Sequence, residues 1–156
     1  MKFTLVKDLK SDTLMRPLLT GLLVFIMLFL LSDLLQKKHD IGLHVSTVNA
    51  TLYGNEEEFI DSISLEVLLE IVHRDLFFMM MTLLSLSAVF GRVAPSTTLT
   101  HRTLHLLNIS ALLSIVFLFT AFYGGSFFVL MWLLTMWLWH LLAFGISMYS
   151  IVRLWR

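Results

Sequence analysis

The chain has 156 residues, 58% of them hydrophobic and only 14% charged, against roughly 25% charged in a soluble domain. So much apolar surface cannot be hidden from water by a chain this short, and lipid is the expected solvent for most of it. The formal net charge is zero and there is no cysteine, which leaves no global field to recruit nucleic acid and excludes disulfides, thiolate metal sites and cysteine nucleophiles.

Met1 to Pro17 is polar and basic. The apolar run that follows is too long for a signal-peptide core and has no clear small-residue cleavage site, so it is expected to be a retained helix. A spanning helix needs about 20 mostly apolar residues. The first span is expected from about Leu18 to Leu35, with Pro17 suited to the first helical turn and Asp33 near its far end.

A polar segment, residues 37–75, follows. Nine of the eleven acidic residues lie between Asp33 and Asp75. Ile41, Leu43 and Val45 alternate with smaller or polar residues and predict a short extended piece. Gly54-Asn55 is a turn signal. Asn55 followed by Glu56, Glu57 and Glu58 reads as a helix start, because Asn caps and acids suit the positive end of the dipole. From Phe59 to Val72 the apolar residues recur at helical spacing, with Asp61, Glu66 and Glu70 on the other side. This predicts an amphipathic helix leading into the second span, with Glu70 and Arg74 paired at i and i+4.

The remaining spans are expected at about Leu76–Ala94, Leu104–Tyr123 and Phe127–Val152. Gly124-Gly125 leaves room only for a tight turn, making the last two helices antiparallel neighbours. The expected fold is thus all-α and polytopic: a single membrane domain with four transmembrane helices in an antiparallel bundle. Sidedness follows from Lys and Arg. Lys2, Lys7, Lys10, Arg16, Arg92, Arg102, Arg153 and Arg156 fall on one side; Lys37, Lys38 and Arg74 fall on the other. Eight against three places both termini in the cytoplasm. The acidic segment then faces outward, which in a bacterial inner membrane means the periplasm.

The residues Gly42-Leu43, Leu52-Tyr53-Gly54-Asn55-Glu56-Glu57-Glu58 and Leu68-Leu69-Glu70-Ile71-Val72-His73-Arg74-Asp75 resemble an outer motif of small polytopic bacterial inner-membrane proteins. The pattern reads GNEEE…LLExxH and covers about a quarter of the chain. Members carry a second histidine two positions after the first; Asp75 stands there instead. The resemblance implies a shared outer motif and carries no activity with it.

Three constellations bear chemistry. Glu56, Glu57, Glu58, Asp61, Glu70, His73 and Asp75 could hold a divalent metal, and Glu70-x-x-His73 has the spacing of carboxylate-bridged metal sites in helical bundles. The plainer reading of these residues is a solvated acidic face. His105 and His140 are candidate axial ligands of a b-type haem, although no two membrane histidines on different helices fall at one depth. His140, near the middle of its span, is a costly group in lipid. It is expected to be neutral and bonded to a neighbour such as Asn108 or Ser114. Met79-Met80-Met81 point three ways from a helix and cannot converge on one soft metal.

No nucleotide-binding loop, metalloprotease motif or serine triad is present. The expected function is that of a non-enzymatic membrane subunit or small sensor whose acidic outer segment binds a partner protein or a cationic ligand. Electron transfer through a haem on His105 or His140 is the alternative, and an oligomeric pore or small transporter is a third. Expected partners are lipid and either other membrane subunits or further copies of the chain, with no nucleic acid.

Overall fold

The computed structural model describes residues 13–57 and 59–156. Five helices follow one another: α1 (Met15–Asp40), α2 (Val45–Tyr53), α3 (Leu65–Val93), α4 (Thr98–Gly124) and α5 (Ser126–Trp155). No strand occurs among the described residues. Four of the helices, all but α2, are long and apolar enough to cross a membrane. Leu18, Phe25, Leu28, Leu84, Leu112, Leu134 and Leu141 are among many large apolar side chains that point away from the core. Apolar surface on that scale does not face water, and it marks a multi-pass membrane protein.

Each helix ends where the sequence supplies a stop. The Gly42 amide donates to the Lys37 carbonyl at 2.9 Å and closes α1, with Gly42 at a φ of 100° that L side chains rarely adopt. Ser64 caps α3, its hydroxyl accepting from the Val67 amide. Ala94 is extended, as a residue before proline must be. Thr97 caps α4 by accepting from the Thr100 amide. Gly125, at a φ of 90°, separates α4 from α5.

Two expectations fail between α1 and α3. Residues 41–44 form a turn rather than an extended piece, and Val45 already begins the helix α2. The alternation of Ile41, Leu43 and Val45 is overridden by the helical spacing of Val48 and Leu52, which are buried. Tyr53 at the end of α2 donates its hydroxyl to the Ala121 carbonyl of α4 at 2.5 Å. The second failure is the helix start at Asn55. That backbone is already committed to a tight turn, in which the Asn55 and Ile60 amides each donate to the other's carbonyl. The Asn55 side chain accepts from the Glu57 amide within the turn. The amphipathic stretch therefore begins at Leu65, and it leads without a break into the second span.

The core falls into two apolar clusters. One contains Leu23, Ile26 and Leu30 of α1, Met79 and Leu83 of α3, and Trp139 and Ala143 of α5. The other, toward the end that carries α2, contains Ile41, Val48, Leu68, Val72, Leu118, Trp132 and Met136. Along α1, α3 and α5 the boundary between them falls at the same level, between Leu30 and Ile41, between Val72 and Met79, and between Met136 and Trp139.

A Cβ at position 42 would lie 2.3 Å from the Thr47 hydroxyl oxygen, on top of the unfavourable φ, whereas one at position 21 meets nothing within 4 Å. Gly42→Ala is expected to cost about 1–3 kcal/mol, and Gly21→Ala to change stability by less than about 1 kcal/mol. Thermal unfolding followed by circular dichroism in detergent measures both; equal effects would contradict the α1–α2 geometry.

Candidate functional site

The gap between the two apolar clusters is filled by charge. Lys37, on α1, is only 3% exposed. Its ammonium donates to Asp33, one turn earlier on the same helix, at 3.1 Å and to Asp75 on α3 at 2.5 Å. The other oxygen of Asp33 lies 2.9 Å from Nε2 of His140 on α5. Asp75 also faces the Arg74 guanidinium at 3.9 Å, and Arg74 donates to Asp40 at 2.7 Å. His140, Asp33, Lys37, Asp75, Arg74 and Asp40 thus form one chain of contacts. It runs from near the midpoint of α5 out to the end of α1.

The hydrogen-bond valences of this chain close. Nδ1 of His140 faces the Met136 carbonyl at 2.8 Å. A carbonyl only accepts, so Nδ1 carries a proton. Nε2 faces a carboxylate oxygen, and a second proton must lie between the two, on nitrogen or on oxygen. In either form the His140–Asp33 pair is neutral. Lys37 balances Asp75, and Arg74 balances Asp40. Three acids and three bases therefore sum to zero. An isolated buried ion would cost several kcal/mol, which only close opposite charge and full hydrogen bonding offset.

The positions follow from helix geometry. Asp33 and Lys37 lie at i and i+4 and share one face of α1. That face turns toward α3 and α5, because Leu23, Ile26 and Leu30 are buried on it. His140 shares the buried face of α5 with Ala143 and Ser147, small residues that allow close approach. The Trp139 ring lies 3.9 Å from the His140 ring, centre to centre.

His140 is thus bonded to Asp33 and to its own helix, not to Asn108 or Ser114. Those two satisfy themselves within α4, Asn108 donating to the Leu104 carbonyl and Ser114 to that of Ala111. Arg74 is bonded to Asp40 instead of Glu70, which is exposed. Both ring nitrogens of His140 are occupied, and His105 lies on an exposed face of α4. Met79 is buried while Met80 and Met81 are half-exposed, so the three do point apart.

Of the acidic donors, Glu56, Glu57, Asp61, Glu70 and His73 are exposed, and Asp75 turns inward to Lys37. Glu58 lies outside the described residues. Among the described residues no group of three or more His, Asp or Glu side chains is placed to hold a metal ion.

The turn at residues 55–60 has its own chemistry. Phe59 is 96% exposed and is the one non-glycine among the described residues with a positive φ, 55°. A bulky side chain in that conformation costs about 1–2 kcal/mol. It stands between Glu56 and Glu57 on one side and Asp61 on the other. The Tyr53 phenol, at the base of the turn, is pushed above its usual 10.0 by burial, consistent with its role as donor to Ala121.

Replacing Lys37 leaves two carboxylates facing each other inside the protein. Lys37→Met is expected to destabilise by about 3–5 kcal/mol. Lys38→Met, one residue on and exposed, should stay within about 0.5 kcal/mol. Unfolding in detergent compares the two; equal stabilities would show that the charged layer is not held together through Lys37.

No family model matches the chain, and no curated protein or solved structure matches it either. The placement of its charges and of Phe59 therefore carries the functional reading.

Proposed function

We propose that this protein is a non-enzymatic subunit or small sensor of a bacterial inner membrane, and that it recognises a cationic partner protein through the turn at residues 55–61 and the first turns of α3. In this reading the four long helices form an antiparallel bundle, both termini are cytoplasmic and the α2 end faces the periplasm. The distribution of basic residues supports that orientation. Of the three at the α2 end, Lys37 and Arg74 are neutralised within the charged layer, leaving Lys38 outside it.

The observation that carries the reading is Phe59. An aromatic side chain held almost wholly in solvent, at a strained backbone position, serves no packing role in the chain itself. Strain of this kind gathers at binding sites, and aromatic anchors dominate the energetics of protein interfaces. Glu56, Glu57, Asp61, Glu66 and Glu70 stand exposed around it and along the start of α3. An apolar anchor ringed by carboxylates suits a surface rich in Lys or Arg. The internal charges, by contrast, are spent on one another and offer no nucleophile or open relay.

Two experiments test this. A carbodiimide joins carboxylates to neighbouring lysines, so treatment of native membranes should give a cross-linked species. It should be lost in the variant Glu56→Gln/Glu57→Gln/Asp61→Asn/Glu70→Gln. It should also fall several-fold in Phe59→Gly, which at the same time should gain about 1 kcal/mol of stability by relieving the positive φ. The absence of any cross-linked species in the unaltered protein, or its persistence in both variants, rejects the proposal.

Orientation is read separately. Glu57→Cys introduces the single thiol of the chain. An impermeant maleimide should label it in intact cells; labelling only after the cytosol is opened reverses the assignment.

A further inference from the structure

A cleft of about 740 Å³ opens beside α2, between the end of α1, the start of α2 and Trp137 of α5. Its charge is the reverse of its surroundings. The α2 end of the molecule is dominated by exposed carboxylates, yet no Asp or Glu lines this cleft. Lys38, His39 and His44 do. His39 has a contact of 3.3 Å to Asp40, which is itself engaged by Arg74. Among the described residues, Lys38 has no ion pair.

The cleft is also not confined to the polar end. Trp137 lies eleven residues into α5, about 16 Å along its axis, well inside the apolar run. Leu134, Trp137 and Leu141 form an exposed apolar stripe at i, i+3 and i+7 on α5. The cleft is therefore basic and polar at one end and continuous with a lipid-facing apolar surface at the other. It arises because α1 stops at Asp40 while α5 runs on beyond it, and α2, only nine residues long, covers α5 there in place of α1.

We propose that this cleft binds the headgroup of an anionic phospholipid, with the acyl chains lying along the α5 stripe. The volume falls in the range of small-molecule sites, and the joint presence of cations and an apolar stripe selects an amphiphile over a free anion. Lys38 supplies the fixed charge, and His39 and His44 supply ring N–H donors to phosphate oxygens. The cleft borders the acidic turn, since Asn55 and Ile60 at the base of that turn also line it, but none of the turn's carboxylates and not Phe59 face into it, and the proposal does not depend on what they bind.

Trp137 reports on occupancy. The purified full-length chain in a neutral detergent is titrated with phosphatidylglycerol brominated on its acyl chains, and separately with equally brominated phosphatidylcholine. Phosphatidylglycerol should quench the tryptophan emission at about fivefold lower concentration, the scale expected for one basic side chain near a lipid headgroup. Trp155 is also exposed and is quenched by either lipid, so Trp137→Phe should remove the component on which the two lipids differ. Lys38→Gln and His44→Gln each alter an exposed residue, and either one should abolish or sharply reduce the preference. Equal quenching by the two lipids overturns the proposal, as does a preference unchanged in both variants. Inorganic phosphate that displaces the lipid at equal concentration would assign the site to a free anion and likewise overturn it.

Discussion

The ammonium of Lys37 is the point on which the arrangement of α1, α3 and α5 turns. It joins two carboxylates from different helices, and one of those carboxylates reaches a third helix through His140. Between helices surrounded by lipid there is little hydrophobic drive, because an acyl chain is as apolar as a leucine. Apolar clusters alone would leave α1 free to rotate or slide, and most of its surface is indeed turned outward. The charged layer removes that freedom. Its centre, Lys37 with Asp33, Asp75 and His140, lies between the two apolar clusters, where opposite charges attract most strongly and mispairing costs most.

The spans and their order were readable because each rests on a local rule: a run of apolar residues, a proline, a glycine pair. The charged layer was only half readable. Asp33 and Lys37 lie four apart at the end of an apolar run, Asp75 opens another, and His140 sits alone within a third. Those are the signals. What they lack is a statement of which faces meet, since Lys37 and Arg74 look equally well suited to solvent or to a neighbouring glutamate. The turn at residues 55–60 was misread for a related reason. Asn followed by acids starts helices and also builds tight turns, and the choice was settled by the pairing of Asn55 with Ile60, a contact that no short-range pattern encodes. Likewise the alternation of Ile41, Leu43 and Val45 gives no hint of α2, which forms where Val48 and Leu52 find a surface to cover.

The segment between α1 and α3 thus makes two surfaces of opposite character from a few residues. One is an acidic turn tipped by Phe59; the other is a basic recess closed by the start of α2. Both depend on α1 ending early. Gly42 permits the reversal, the amide-to-carbonyl bond to Lys37 seals it, and the chain then returns over the exposed end of α5. Had α1 continued to the full height of α5, neither surface would have a place.

The neutrality of the buried layer also has a bearing on biogenesis. During synthesis α1 enters the bilayer with an aspartate and a lysine that can compensate only each other. Asp75 arrives with α3, and the imidazole that completes the set is delivered later still, by α5. Until then the first helix carries polar groups still awaiting their counterparts. The buried layer accordingly becomes electrically settled only once α5 has been made, and a nascent chain arrested before α5 would leave an ionisable group in the bilayer without its mate.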